Sequence, residues 1–250
     1  MNQEMKTVSL DNKRYYVIEN GVKTFYLPSV TTIIGTFSDK TYLDEWRKNI
    51  GEENADRIST FAANRGTCMH TFNEIYLNKI NLTPDTRLVG TLKEAFQKNQ
   101  EDGFTNSEQK VGRNLFYNFY HAKFFKDITK VVMQEDLLYG FWNGGYAGRV
   151  DLIAELGDKL VIIDFKSSKK PKSEEDIEGY KLQISAYWAA YTSKYGITPD
   201  HCEIWISNEF DDIPQRIVLD KKSLLIHFKK FISYVKMYHE KFKSLTEDLN

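Results

Sequence analysis

The chain has 250 residues, with 34 Lys and Arg against 35 Asp and Glu, so it can bury a large core but must grip any polyanion through a local patch, not its overall charge. Its two cysteines, Cys68 and Cys202, form no CxxC, which excludes a cysteine-ligated zinc or iron–sulfur centre and points to a reducing compartment. No run of about 20 apolar residues is present and the opening residues read as neither a signal nor a transit peptide, so a cytoplasmic location is expected.

The elements are expected in this order. "KRYYVIENGVKTFYL" is two β-rich runs around Asn20 and Gly21, a type I′ hairpin signal. From Ser38 to about Lys126 apolar residues recur at three and four spacing, interrupted at Pro84 and Gly103, which predicts three or four helices. "KVVMQEDLLYG" then reads as a strand, "FWNGG" as a turn, and "GRVDLIAELGDKLVIIDFKSS" as two more strands. The acidic "EED" suits a helix N-terminus, and that helix runs to Gly196. "CEIWIS" and "PQRIVL" are strands, followed by a helix from about Lys221. The sum is a single α+β domain over residues 1–250. It comprises a β-ribbon (about 6–27), a helical wall or arch (about 38–127) and a core (about 128–220) whose mixed, largely antiparallel sheet is flanked by helices.

The chemistry concentrates between residues 148 and 170. Gly157-Asp158 is an accepted two-residue hairpin loop, and a turn there sets Asp151 directly opposite Asp164, with Cβ atoms about 4.5–5.5 Å apart. Lys166, two residues on, points to the same side. Val150, Leu152, Ala154, Leu156, Val161 and Ile163 form the opposite, apolar face, so burial fixes the register. Two carboxylates about 5 Å apart repel by roughly 3 kcal/mol at an effective dielectric near 20, and a hard divalent ion, Mg²⁺ or Mn²⁺, would neutralise that repulsion. The same three residues also fit an exposed hairpin edge with a salt bridge. Lys169, Lys170 and Lys172 supply a local basic patch, which with Ser167, Ser168 and Arg149 fits phosphate contacts or an ordinary solvated loop. Gln183 and Tyr187 share a helix face with Tyr180 and Tyr191, an aromatic stripe that also suits a core.

"GRVD" (148–151), "DFKSS" (164–168) and "QISAY" (183–187), preceded by "RGTCMH" (65–70), resemble in order the motifs of RecB-type PD-(D/E)xK nucleases. With "PSVTTIIG" (28–35), the likeness is closest to the mitochondrial genome maintenance exonuclease and its phage and bacterial relatives. The resemblance covers roughly residues 25–210 and implies a restriction-endonuclease-like fold. It implies His70, Asp151, Asp164 and the Phe165 carbonyl as metal ligands and Lys166 as the catalytic lysine. Gln183 and Tyr187 would stand beside that lysine and the DNA backbone. Gly66, one turn before His70, would leave space beside it. Glu135 matches an acidic position often seen upstream of GxxD, and Glu74 follows His70 by one turn; solvated carboxylates are the competing reading for both. The function so implied is Mg²⁺- or Mn²⁺-dependent hydrolysis of DNA, most directly by an exonuclease on single-stranded ends in replication, repair or recombination, with Tyr42, Trp46 and Phe61 offered for base stacking. A flap endonuclease and a non-catalytic DNA-binding subunit are the alternatives.

Overall fold

The computed structural model describes residues 5–19 and 21–243. Strands Thr7–Leu10 (β1), Lys13–Glu19 (β2) and Thr24–Pro28 (β3) form a three-stranded antiparallel ribbon. Asp11 and Asn12 make its first turn at φ 49° and 58°, the left-handed pair that a type I′ hairpin requires. The second hairpin is wider than the expected Asn20-Gly21 turn, because Glu19 pairs with Thr24; Asn20 lies outside the described residues. The next segment is a helix, Val30–Phe37 (α1), despite its β-branched content: Ser29 Oγ accepts from the Thr32 N–H as an N-cap, and Val30, Ile33 and Ile34 are buried at helical spacing.

The expected helical stretch comprises Thr41–Ile50 (α2), Glu52–Asn78 (α3), Pro84–Glu101 (α4), Asn106–His121 (α5) and the single turn Lys123–Lys126 (α6). Pro84 opens α4, where its missing N–H costs nothing, and a Thr105–Glu108 capping box opens α5. Strands Ile128–Gly140 (β4), Tyr146–Leu156 (β5) and Lys159–Ser168 (β6) follow. The helix Glu178–Tyr195 (α7) then carries the chain to His201–Asn208 (β7) and Gln215–Leu219 (β8), and Lys221–Lys241 (α8) completes it. Helix α7 begins after the acidic cluster, whose residues are in turns, and Gly196 ends it in the left-handed conformation.

The five strands lie in the order β4-β5-β6-β7-β8. Only β6 and β7 are parallel, as their helical crossover requires. This is the mixed, restriction-endonuclease-like α+β architecture expected. Helices α1, α7 and α8 bury one face against Val150, Ile153, Ile162 and Ile204; α3, α5 and α6 bury the other against Leu152, Ala154, Val161 and Ile163. The expected one-sided hairpin is therefore corrected: both faces are core, and Val150 does not share a face with Leu152. Helices packed on both sides make both faces core, and the face changes across the step between Gln134–Leu152 and Asp136–Val150, where the β4–β5 ladder passes over Glu135, at φ 49°, and Asp151 together. Among the described residues no helix is long and apolar enough to cross a membrane.

Candidate active site

The β5–β6 register is the one that a Gly157-Asp158 turn dictates, with Leu152 opposite Ile163 and Leu156 opposite Lys159. The ladder stops one step short of the two aspartates. There Asp151 Oδ2 accepts the main-chain N–H of Phe165 at 2.7 Å, so a carboxylate occupies the place of a strand partner. Beyond that point β6 stays paired on its other side, with Asp164, Phe165 and Lys166 against Ile204, Trp205 and Ile206 of β7.

Asp164 is 1% exposed, its Oδ2 2.5 Å from Lys166 Nζ. Its Oδ1 accepts from Gln183 Nε2 at 3.1 Å, and the same amide donates to the Tyr187 hydroxyl at 3.2 Å. Burial pushes the Asp164 carboxyl above its ordinary range; Lys166 opposes that and Asp151 adds to it. Burial would depress Lys166, yet the charges of Asp164 and Asp151 outweigh it and keep the ammonium protonated. The Tyr180 ring lies 5.2 Å from that ammonium and so belongs to the site, whereas Tyr191 is core, packed on Tyr195 at 4.7 Å. A Cβ at Gly148 would stand 2.7 Å from the Tyr187 ring: the glycine of "GRVD" and the tyrosine of "QISAY" are steric counterparts.

Across the cleft, His70, Glu135 and Asp151 each bring one ligand atom within 4.8 Å of the others. His70 Nδ1 is 3.8 Å from both Glu135 Oε1 and Asp151 Oδ2. Burial alone would lower the His70 pKa, but the two carboxylates reverse this and raise it. Glu135 sits within β4 at a left-handed φ of 49°, a non-glycine residue held in a sparsely populated conformation at the candidate site. Arg149 Nε holds the other Glu135 oxygen at 2.8 Å. Two carboxylates and an imidazole converging on one point suit a divalent cation, Mn²⁺ as readily as Mg²⁺. Glu135, whose plain reading was a solvated strand carboxylate, thus joins the group. Asp164 stands beside it, committed to Lys166 and Gln183.

The remaining expected residues divide. Phe165 sends its ring into the core, 6.3 Å from His70, and the main-chain group shown engaged at the site is its N–H. Arg149 pairs with Leu137 of β4, not with Lys166 as the extended hairpin predicted, yet both side chains line the cleft. Glu74 turns away toward Lys98, 3.8 Å distant, as expected of a helix-surface charge. Gly66 does not open space for His70; a Cβ there would meet Ser167 Oγ at 2.9 Å, so it lets α3 settle onto β6. Ser168 is buried and donates to the Lys170 carbonyl at 2.7 Å, which ties the loop and removes that hydroxyl from phosphate contact. Lys169 and Lys170 are exposed, and the Lys172 main chain is bonded at both N–H and carbonyl to the Gln215 amide. The cleft, about 180 Å³, is also lined by Arg14, Tyr16, Thr31 and Thr67. Thr31 falls in "PSVTTIIG" and Thr67 in "RGTCMH", though neither is singled out there as a site residue, while Arg14 and Tyr16 fall in no motif; a β-bridge from Ser29 to Ala147 brings the ribbon there.

A model of the PD-(D/E)XK nuclease superfamily matches residues 41–227, and the chain belongs to that superfamily. Asp164-Phe165-Lys166 supplies the D-x-K, and Asp151, preceded by Val150 where the superfamily's name has proline, supplies the earlier acid. No curated protein sequence matches the chain. A provisionally assigned exonuclease from Eubacterium rectale is 12% identical with a TM-score of 0.45, over 70% of this chain and 69% of its own. The structure titled SSO0001 is 15% identical with a TM-score of 0.30 over 40% of this chain and 50% of its own, so the likeness spans half of it. Neither likeness adds to the assignment.

Proposed function

We propose that this chain is a Mg²⁺- or Mn²⁺-dependent deoxyribonuclease that acts as an exonuclease on single-stranded DNA ends. The observation that carries the reading is the meeting of the His70, Glu135 and Asp151 ligand atoms on the cleft that Lys166 also lines. A divalent cation held by those three residues supplies Lewis acidity toward a phosphodiester. The Lys166 ammonium, steadied by Asp164, orients the attacking water and meets the negative charge that develops on the phosphorane oxygens. Gln183 donates one amide N–H to Asp164 and the other to the Tyr187 hydroxyl, so α7 holds the pair in position. Arg149, on the same cleft, and the exposed Lys169 are the candidates for contacts to backbone phosphates.

The preference for single strands is supported by the shape and chemistry of the helical wall. Helix α2 has no buried residue, with Tyr42 82% exposed. Trp46 on α2 and Phe61 on α3 are half-buried and offer further faces for unpaired bases. Incubation of end-labelled single-stranded and duplex DNA with Mg²⁺, Mn²⁺ or EDTA should give a cation-dependent ladder from one end of the single strand. Circular single-stranded DNA should survive. Cutting of the circle would transfer the reading to an endonuclease, and cleavage by a D151N protein at the wild-type rate would sink the site assignment.

A further inference from the structure

The cleft has a second wall, which lies outside the residues matched by the superfamily model. Arg14 and Tyr16 of β2 and Thr31 in the first turn of α1 line the same space as His70, Asp151 and Lys166. Arg14 Nη2 donates to Thr31 Oγ1 at 3.0 Å, and the guanidinium lies 5.6 Å from the Tyr16 ring centroid. Tyr16 is buried and so gives Arg14 a fixed platform.

Three cations line this cleft, and they differ in one respect. Lys166 is paired with Asp164 and Arg149 with Glu135; Arg14, among the described residues, is held only by a hydroxyl and a ring. It is exposed to solvent, with its charge uncompensated and its orientation set. A guanidinium fork matches a phosphate with two parallel donors, and Thr31, whose hydroxyl also meets Ser29 Oγ at 3.1 Å, holds the fork in orientation. The space of about 180 Å³ equals about six waters at ~30 Å³ each.

We propose that Arg14, assisted by Thr31, binds a strand phosphate adjacent to the one presented to His70, Glu135 and Asp151, so that the N-terminal ribbon is part of the substrate grip. This rests on the nuclease reading only for the identity of the strand. A merely structural Arg14, pinning the ribbon to α1 through Thr31, makes a different prediction: R14A and T31V would then lower stability alike and leave nucleic-acid binding untouched.

The test is binding of a labelled single-stranded oligonucleotide to the full chain in EDTA, across a range of salt, by anisotropy. R14A should weaken binding about tenfold at low salt and make the slope of log K against log salt shallower by about 0.7, the value for one phosphate contact on a single strand. R14K should restore the slope without the full affinity, and T31V should weaken binding slightly at unchanged slope. Oligonucleotides with a 5′-phosphate, a 3′-phosphate or neither locate the contact: a deficit confined to one phosphorylated end means a terminal phosphate, and an equal deficit on all means an internal one. A wild-type slope in R14A, whatever its melting temperature, overturns the proposal, as does failure of the wild type to bind any strand. An Arg14-dependent slope in a protein that cleaves nothing keeps this proposal and removes the nuclease reading; cleavage with an indifferent Arg14 does the reverse.

Discussion

Two buried carboxylates sit on the parallel strands β6 and β7, one register position apart and on opposite faces of the sheet, and they are treated in opposite ways. Glu203, wholly buried, is ringed by Arg216 Nε and Nη2 at 2.6 Å each, Trp205 Nε1 at 2.6 Å and His201 Nε2 at 2.7 Å. Burial alone would raise its pKa, but these partners, Arg216 foremost, hold it below the ordinary range. Asp164, equally deep, has one ammonium and one amide and faces a second carboxylate, and it is pushed the other way. A carboxylate satisfied on every side is a structural node. One left with a strained charge balance in a cleft is the mark of a working site.

The sharpest way to break this contrast is to truncate both centres and measure rate and stability separately. K166A should lower cleavage per folded molecule by about 10³-fold or more, roughly 4 kcal/mol of transition-state stabilisation. E203A should leave the rate per folded molecule near wild type while costing about 1–3 kcal/mol, or roughly 2–12 °C in a chain of this size, because it leaves the buried Trp205 N–H without its acceptor. If the two variants exchanged these outcomes, the division between a working and a structural carboxylate would be wrong. A smaller effect tests the packing behind the working one. G148A forces a Cβ against the Tyr187 ring and should cost about 1–3 kcal/mol together with a loss of cleavage. The double variant G148A/Y187A should cost less than the sum of its singles, since the clash is relieved.

How far these features could be read from residues alone depends on whether local rules or tertiary contacts decide them. The β5–β6 register was legible because a two-residue turn and a period of two leave little choice, and the acid–acid–lysine sequence followed from it. The full set of candidate ligand residues was not, because Glu135 joins Asp151 through a left-handed φ that no strand pattern announces. Helix α1 was hidden by β-branched residues whose helical state is decided by the Ser29 cap and by burial. The Glu203 node gave no signal at all: His201, Glu203 and Trp205 alternate as on any strand, and Arg216 arrives from β8 only through sheet pairing.

The smallest expected effect is also the most direct reading of the contrast, because it appears in the acid limb of stability. Glu203 has a folded pKa below its ordinary 4.5, so its contribution is complete above that value and is lost as pH falls through the lower folded pKa. Asp164, raised above its ordinary 3.8, works in the opposite sense: its contribution is complete below 3.8 and is lost as pH rises through the folded pKa. Each is bounded by about 1.4 kcal/mol per pH unit. Denaturant unfolding from about pH 3.5 to 7 in EDTA, on wild type, E203Q and D164N, separates them. E203Q should flatten the rise in stability around and below pH 4.5, and D164N should steepen the net rise above pH 4 by removing an opposing term. Parallel curves for all three proteins would mean that the two carboxylates are held alike, and the distinction drawn from their partners would fail.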